Sequence, residues 1–345
     1  MNIPDRLQEL PAKGAHLCLA VERFLTRELE LPTRDQKALL SLSGGPDSTA
    51  LLVIFRVLAP RLGMSLVAAH LDHGIREESP REAEFVQGLC RQCGVPLHGG
   101  ATRAELFARR TGRGLEEAGR VLRYRFLAGV KDKAGAQYVI SGHHLDDLAE
   151  DFLLRSLRGS GWPEISGMAG YEPGLGLVRP LLATSKADLV QLLRDLDISW
   201  QEDSSNQDSK FLRNRVRHRI LPQMLQENPR FPENVLYLWR MGNLEREELE
   251  QHLAELRATE RPLEQGWLLP EPQLRSLGGA TRTRWIKDAL SRLGPGQARS
   301  RNLLRLERAW REKRLGAEIQ FPGDKRARIR REGILLSKSS RLRNP

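Results

Sequence analysis

The spacing of hydrophobic positions changes near residue 210. Before that point short apolar runs alternate with helical periods. Ala38-Leu39-Leu40-Ser41-Leu42 reads as a buried strand and Thr49 to Leu58 as an apolar helix. Ser65 to Leu71 is a second buried strand, and a helix opens at Ser79-Pro80-Arg81-Glu82, where a capping box coincides with a first-turn proline. Val95-Pro96-Leu97 reads as a short strand, Leu115 to Ala134 as a helix, Gln137 to Ser141 as a strand and Leu145 to Arg158 as a helix. Thr184 or Ser185 then caps a helix reaching about Leu196. Strands alternating with helices over 35–200 predict an α/β fold, with a parallel sheet covered by helices on both faces. Ligands of such sheets sit beyond the carboxyl ends of the strands.

From Lys210 onward the period is helical, including the Leu- and Glu-rich stretch Asn234 to Arg257. The last 55 residues mix a helix, Arg301 to Arg314, with strand-like pieces at Ala317 to Phe321 and Gly333 to Leu336. Four segments are expected: a helical extension over 1–34, the α/β domain over 35–216, a helical domain over 217–290 and a small basic α+β domain over 291–345.

Composition narrows the class. The 345 residues are 40% hydrophobic and 29% charged, which suits a packed globular chain and excludes a disordered or fibrous one. No uncharged apolar run reaches the roughly 18 residues of a membrane span, and the amino terminus lacks a signal-peptide layout. Three cysteines exclude a disulfide scaffold. A cytoplasmic location without membrane attachment is therefore expected.

Charge adds a direction. The net value is +11, but residues 281–345 hold 19 Lys+Arg against 6 Asp+Glu, a net of +13, leaving the first 280 residues near neutrality. A basic carboxyl-terminal region on a neutral body suits either a solubilising surface or a polyanionic partner.

The most informative segment is Ser43-Gly44-Gly45-Pro46-Asp47-Ser48, between the first strand and its helix. Two glycines let backbone N–H groups approach an anion closely, and the helix amino terminus adds positive charge. Ser43 and Ser48 offer hydroxyl donors, while a carboxylate at Asp47 makes sense beside phosphate if Mg²⁺ lies between them. No Walker sequence occurs, and the pattern matches the S-G-G-x-D-S loop of enzymes that split ATP into AMP and pyrophosphate. A second cluster, Leu71-Asp72-His73-Gly74, follows the second strand, where a capped turn would serve as well. On the 115–134 helix, Arg120, Arg123 and Tyr124 lie on neighbouring turns. A third cluster, Ser141-Gly142-His143-His144-Leu145-Asp146-Asp147-Leu148-Ala149-Glu150-Asp151, falls at another strand-to-helix junction and sets four acids in the first turns of the helix. Its acids suit a helix amino terminus, and a magnesium–phosphate role fits better than zinc because H-E-x-x-H spacing is absent.

Taken in order, these segments resemble the tRNA(Ile)-lysidine synthetase family, one of the PP-loop ATP pyrophosphatases. The carrying sequences are SGGPDS (43–48), LDHGIREESPREAEFV (71–86), EEAGRVLRYRFL (116–127), SGHHLDDLAEDFLLRSLRGSG (141–161) and WQEDSSNQDSKFLRNRVRHRILP (200–222). The last is the most discriminating, through Asp203-Ser204-Ser205-Asn206 followed by Arg213-Asn214 and Arg217. The resemblance implies a Rossmann-like catalytic domain over 35–216 and a tRNA-binding role for 291–345. It implies that ATP adenylates C2 of the wobble cytidine of an isoleucine tRNA with a CAU anticodon, and that L-lysine then displaces AMP.

On that resemblance ATP is held by Ser43, Gly44, Gly45, Pro46, Asp47 and Ser48 with His70 and Asp72. Mg²⁺ is expected on Asp47 and Asp147. Catalysis falls to Asp47, Asp147, Arg213, Asn214 and Arg217, and His144, Asp146, Asp147 and Arg123 are candidates for contacting lysine or cytidine. Leu148 stands where relatives carry Gln, Asp151 where they carry Thr, and Gly119 where they carry Ala. Two other readings are a tRNA thiolase using Cys90-Arg91-Gln92-Cys93 and a non-catalytic tRNA-binding module; buried helix thiols account for that cysteine pair equally well. Trp285 and Trp310 are expected in a core more than on RNA bases.

Overall fold

The structure, a computed structural model, describes residues 3–72, 79–201 and 212–338. The expectations placed on His73 and on Asp203-Ser204-Ser205-Asn206 lie outside the described residues. The chain divides into two compact units, Met1–Gly242 and Asn243–Pro345.

The first unit opens with α1 (Ala12–Arg23) and a π-helical turn, Phe24–Glu28. It continues through β1 (Lys37–Ser41), α2 (Pro46–Leu62), β2 (Ser65–Asp72), α3 (Ser79–Cys93), β3 (Leu97–Ala101), α4 (Ala104–Thr111), α5 (Leu115–Ala134), β4 (Tyr138–Ile140) and α6 (Leu145–Leu157). Short strands β5 (Tyr171–Glu172) and β6 (Leu177–Val178) precede α7 (Lys186–Asp195), where the Ser185 hydroxyl caps by accepting from Asp188 N–H. After α8 (Leu212–Arg215) come a π-helical turn (Val216–Ile220), α9 (Leu221–Glu227) and α10 (Phe231–Thr259), which runs past the boundary.

Among the described residues the sheet order is β3-β2-β1-β4-β6-β5, parallel except where β5 pairs antiparallel to β6. Alternation along β1 decides what covers each face. Ala38 and Leu40 pack in one cluster with Cys18 and Val21 of α1, Leu51 and Ile54 of α2, and Leu189 and Leu192 of α7. Leu39 points the other way, to Val67, Val139 and to Leu127 and Val130 of α5. The expected α/β fold with helices on both faces is therefore present. The amino-terminal segment is not a separate extension, because Ile3, Leu10, Cys18, Val21, Leu25 and Leu31 belong to the sheet's own core.

The second unit adds β7 (Arg261–Leu263), β8 (Gly266–Pro270), α11 (Glu271–Ser276), α12 (Gly279–Arg292), α13 (Ser300–Arg311), β9 (Glu318–Phe321), β10 (Lys325–Arg330) and β11 (Gly333–Lys338). Its strands pair antiparallel in the order β7-β8-β11-β10-β9. Two strands thus interrupt the stretch expected to be helical from Lys210; β7 carries Pro262 and sits at the sheet edge, where a missing N–H costs nothing. A boundary at 290/291 would cut a single core in which Trp285, Ile286 and Leu290 of α12 pack with Leu306 of α13, Ile329 of β10 and Ile334 of β11. Trp285 is fully buried there and Trp310 packs against the same cluster, so both serve the core. Lys325 is buried too. Its ammonium donates to the carbonyls of Leu290, Gly294 and Gly296 at 3.0, 2.9 and 2.6 Å, closing the end of α12.

Candidate nucleotide site and the charge cluster beside it

β1 ends where Leu42 N–H donates to the Ala69 carbonyl, and the chain then turns through Ser43-Gly44-Gly45 into α2. Gly44 has φ +88°, a conformation that side chains resist, and Pro46 occupies the first turn of α2. The loop folds around one hydroxyl. Ser48 Oγ accepts from the N–H groups of Ser43 and Gly44, each at 3.1 Å, and donates to the Gly45 carbonyl at 3.1 Å. Gly45 N–H points at Ser43 Oγ, 3.4 Å away. Consecutive amides converging on a single oxygen is the arrangement that receives a phosphate oxygen.

Gly142 lets the second junction approach this loop. A Cβ there would stand 3.1 Å from the Asp47 carbonyl oxygen and 3.3 Å from Ser48 N, so a side chain would push the two apart. Immediately afterwards, His144 lies against Asp47 and against the first turn of α6. His144 Nε2 is 3.5 Å from Asp47 Oδ2 and 3.4 Å from Asp147 Oδ2, while Nδ1 is 3.5 Å from Asp146 Oδ2. Asp147 Oδ2 also accepts from His144 N–H at 3.1 Å, and Asp146 Oδ2 accepts from Lys186 N–H at 2.9 Å, tying α6 to the start of α7.

On the other side of α6 two arginines enter from the α8 region. Arg213 donates to Asp147 Oδ1 at 2.9 Å and to Glu150 Oε2 at 3.2 Å. Arg217 donates to Asp147 Oδ1 at 3.1 Å and Glu150 Oε2 at 3.0 Å, and its Nε grips Glu150 Oε1. Asp147 and Glu150 are both buried, three residues apart on one helix face, and Arg213 and Arg217 are four apart on another. Two carboxylates and two guanidinium groups form a compact neutral quartet, with Asn214 on the same short helix.

The adjacent histidines are driven in opposite directions. Burial lowers the pKa of His143 to about 4, and the cations Arg179, Arg213 and Arg123 oppose its protonation. Its Nδ1 lies 2.9 Å from Ser141 Oγ. Burial acts the same way on His144, but Asp146, Asp47 and Asp147 outweigh it and raise the pKa to about 10. Asp147 is pushed well below the usual carboxylate range: burial opposes its charge, and His144, His143, Arg213 and Arg217 more than compensate. At neutral pH, then, His143 is uncharged, His144 is an imidazolium and Asp147 is an anion.

Asp47, Asp147, His144, Asp146, Arg213 and Arg217 are thus brought together with the loop. Buried His70 contacts the Leu42 carbonyl through Nδ1 at 3.0 Å, bracing the strand before the loop, and its Nε2 has no partner among the described residues. Asp72 ends β2 at the same sheet edge. Arg123 is exposed on α5 and is linked to the cluster through its charge beside Arg213. Glu150, one of the four acids of the third cluster, is not among the expected site residues; its signal is the three-residue step from Asp147.

For a magnesium ion, the fitting donor is Asp47 Oδ1, which is buried without a partner among the described residues. Both oxygens of Asp147, the second expected ligand, are already engaged. No group of three or more His, Cys, Asp or Glu able to hold a metal occurs among the described residues, as suits an ion shared with substrate phosphates. The cysteine pair ends α3, buried, and burial raises Cys90 to about 12 and Cys93 to about 11. Such thiols are protonated and inert, unlike the thiolates that hold clusters or sulfur.

A phosphate cradle at the carboxyl edge of a parallel sheet, with a carboxylate at its mouth, defines a PP-loop nucleotide-binding protein, and the PP-loop domain family matches residues 19–224. The chain is 39% identical over 321 residues to the tRNA(Ile)-lysidine synthase of Nitratidesulfovibrio vulgaris, covering 88% of this chain and 92% of that one. The tRNA(Ile)-lysidine synthase of Porphyromonas gingivalis is 40% identical over 218 residues, 62% of this chain but 45% of the relative. That of Geobacillus kaustophilus is 38% identical over 216 residues, 62% and 46%. The chain therefore spans less than half the length of these two. It belongs to the tRNA(Ile)-lysidine synthase family. Among solved structures, the U34-tRNA thiolase NcsA of Methanococcus maripaludis with its [4Fe-4S] cluster superposes with a TM-score of 0.55 at 16% identity, covering 66% of this chain and 78% of that one, a likeness of fold.

Proposed function

We propose that the protein joins L-lysine to C2 of the wobble cytidine of an isoleucine tRNA with a CAU anticodon, by way of an adenylated cytidine. The observation that carries this reading is the adjacency of the amide cradle to the α6 charge quartet, joined through His144 between Asp47 and Asp147. In the first step the cytidine O2 attacks the α-phosphorus of ATP, and the bond to pyrophosphate breaks. The loop amides of Ser43, Gly44 and Gly45 hold the departing phosphates, with the Ser43 and Ser48 hydroxyls turning from each other toward them. Asp47 would hold a Mg²⁺ ion, whose charge would offset that building on the phosphate oxygens. Imidazolium His144 keeps Asp47 oriented.

In the second step the lysine ammonium gives a proton to water, the free amine nitrogen bonds to C2, and the C2–O bond breaks so that AMP leaves with that oxygen. Asp147 suits holding a cationic amine rather than accepting its proton, because its carboxylate is so strongly stabilised as an anion. Glu150 shares its arginines and adds a second anion at the same place. Arg213, Asn214 and Arg217 present forks and an amide toward the cytidine or its phosphates. No described helix is long and apolar enough to cross a membrane, and we place the reaction in the cytoplasm.

Transfer of radiolabelled lysine to a CAU isoleucine tRNA, with elongator methionine tRNA as the control, tests the reading. ATP-dependent label in the first and none in the second is expected; no transfer to either overturns it.

A further inference from the structure

We propose that the second unit grips the RNA backbone with the solvent face of its sheet, centred on Arg328, Arg330 and Arg331, and not with the basic face of α13. The inference rests on the proposed function for the identity of the RNA, and on the following geometry for the surface.

Strand β10, Lys-Arg-Ala-Arg-Ile-Arg, alternates strictly. Lys325, Ala327 and Ile329 are buried, while Arg326, Arg328 and Arg330 face outward, about 6.8 Å apart along the strand. Register extends the row. Arg328 lies between Glu318 of β9 and Leu335 of β11, Leu335 opposes Leu268, and Leu268 opposes Arg261. Arg330 opposes Gly333, which offers no side chain to cover it. Arg326 is steadied by Ser337 Oγ at 3.2 Å. Arg328, Arg330 and Arg331 form no ion pair among the described residues, although Glu318 and Glu332 are near in register or sequence.

Arg328, Arg330 and, from the turn after β10, Arg331 line an open depression of about 400 Å³ together with Gly316, Ile329, the carboxylate-bearing Glu332 and Leu315, an exposed leucine, so that three cations face one anion there. Guanidinium groups around a shallow hollow can fork onto phosphate and stack on a base, while the leucine covers an apolar ring or ribose face. The exposed side of α13 differs. Arg301, Arg305 and Arg308 project from a convex helix, Arg308 is paired with Glu312 at 3.2 Å, and Leu304 stands between them. Since α13 and the inner side of the sheet share one core, the two basic surfaces lie on opposite sides of the unit.

The test uses the full chain and a CAU tRNA transcript, with dissociation constants measured as salt rises from about 50 to about 200 mM. For R328Q/R330Q/R331Q we expect binding at least about 10-fold weaker at mid-range salt, and a log–log salt slope shallower by about 2–3. R301Q/R305Q/R308Q should stay within about twofold of the parent, since that convex face has no hollow to seat a phosphate and Arg308 is already paired with Glu312. R328K/R330K/R331K, which keeps charge and fold, should retain the slope while losing part of the affinity.

An unchanged affinity in the sheet variant overturns the inference. So does an equal or larger loss in the helix variant, or a sheet variant that loses only its adhesion to anionic phosphatidylserine vesicles. The lysine-transfer assay on the parent protein separates the two levels. A parent that binds tRNA through the sheet arginines but transfers no lysine refutes the proposed function and leaves the surface standing. A parent that transfers lysine while the sheet variant binds normally refutes the surface alone.

Discussion

Arg213 and Arg217 in the first unit are folded over Asp147 and Glu150, with each guanidinium touching both carboxylates. Arg328 and Arg330 on a sheet face of the second unit, and Arg331 in the turn beside them, stand in water, without ion pairs among the described residues. The same side chain is thus used for position in one place and for charge in the other. Burial makes the difference. Glu150 is 2% exposed, so its charge demands partners and its partners are fixed in turn. The second unit follows the same rule where it is buried: Arg282 donates to both oxygens of Glu307 at 2.8 Å and joins α12 to α13. Locked arginines fix the shape of their surroundings, and solvated ones stay open to anions, with an affinity that salt can erase.

The largest effect expected on this contrast is at the cradle. Asp47→Asn keeps the size of the side chain but removes its charge, and should slow single-turnover lysine transfer by roughly 10²–10³-fold, while tRNA affinity stays near that of the parent. A transfer rate within twofold of the parent would separate Asp47 from the chemistry. Next comes the quartet. Glu150→Gln leaves two guanidinium groups half-paired, and the native state should lose about 2–3 kcal/mol in urea unfolding. Pairing it with Arg217→Met should recover part of that loss, whereas strictly additive losses would mean the two side chains do not act together.

A smaller change is expected from Cys90→Ser with Cys93→Ser. Two buried hydroxyls in place of thiols should cost about 1–2 kcal/mol of stability and leave lysine transfer within twofold. Loss of activity in a stably folded double variant would instead favour thiol chemistry. The smallest effect concerns Asp288. Burial opposes its charge, but bonds from Arg257 at 2.7 and 3.0 Å and from Arg292 at 3.1 Å hold its pKa below the ordinary value. A carboxylate depressed in the folded state adds stability that is complete above about pH 4 and fades as pH falls through the folded pKa. The stability gap between the parent and Asp288→Asn, under about 1 kcal/mol at neutral pH for a partly solvated pair, should therefore close on acidification. A gap that persists unchanged at low pH would contradict the assignment.

Local signals were readable in the sequence and distant pairings were not. β1, β2, α5 and α6 follow from apolar runs, glycine stops and caps within a dozen residues, and the loop at 43–48 announces its own chemistry. β3 was less legible because Leu-His-Gly-Gly-Ala has no apolar run, and the strand starts two residues later than Val95-Pro96-Leu97 suggests, sharing only Leu97 with it. β10 hides its strand period beneath outward-facing arginines, and β8 sits in a stretch whose leucines also satisfy a helical period. At the site, Asp147 and Arg217 each stood out, but Glu150 gains its meaning from Arg213 and Arg217, more than 60 residues away. Nothing in local spacing encodes that meeting.

The most direct test of the central claim is a single-turnover reaction with α-labelled ATP, Mg²⁺ and CAU isoleucine tRNA, first without lysine and then with it. The account predicts label covalently attached to the tRNA, released as AMP when lysine is added. AMP formed at the same rate with or without lysine, and never found on the RNA, would contradict it.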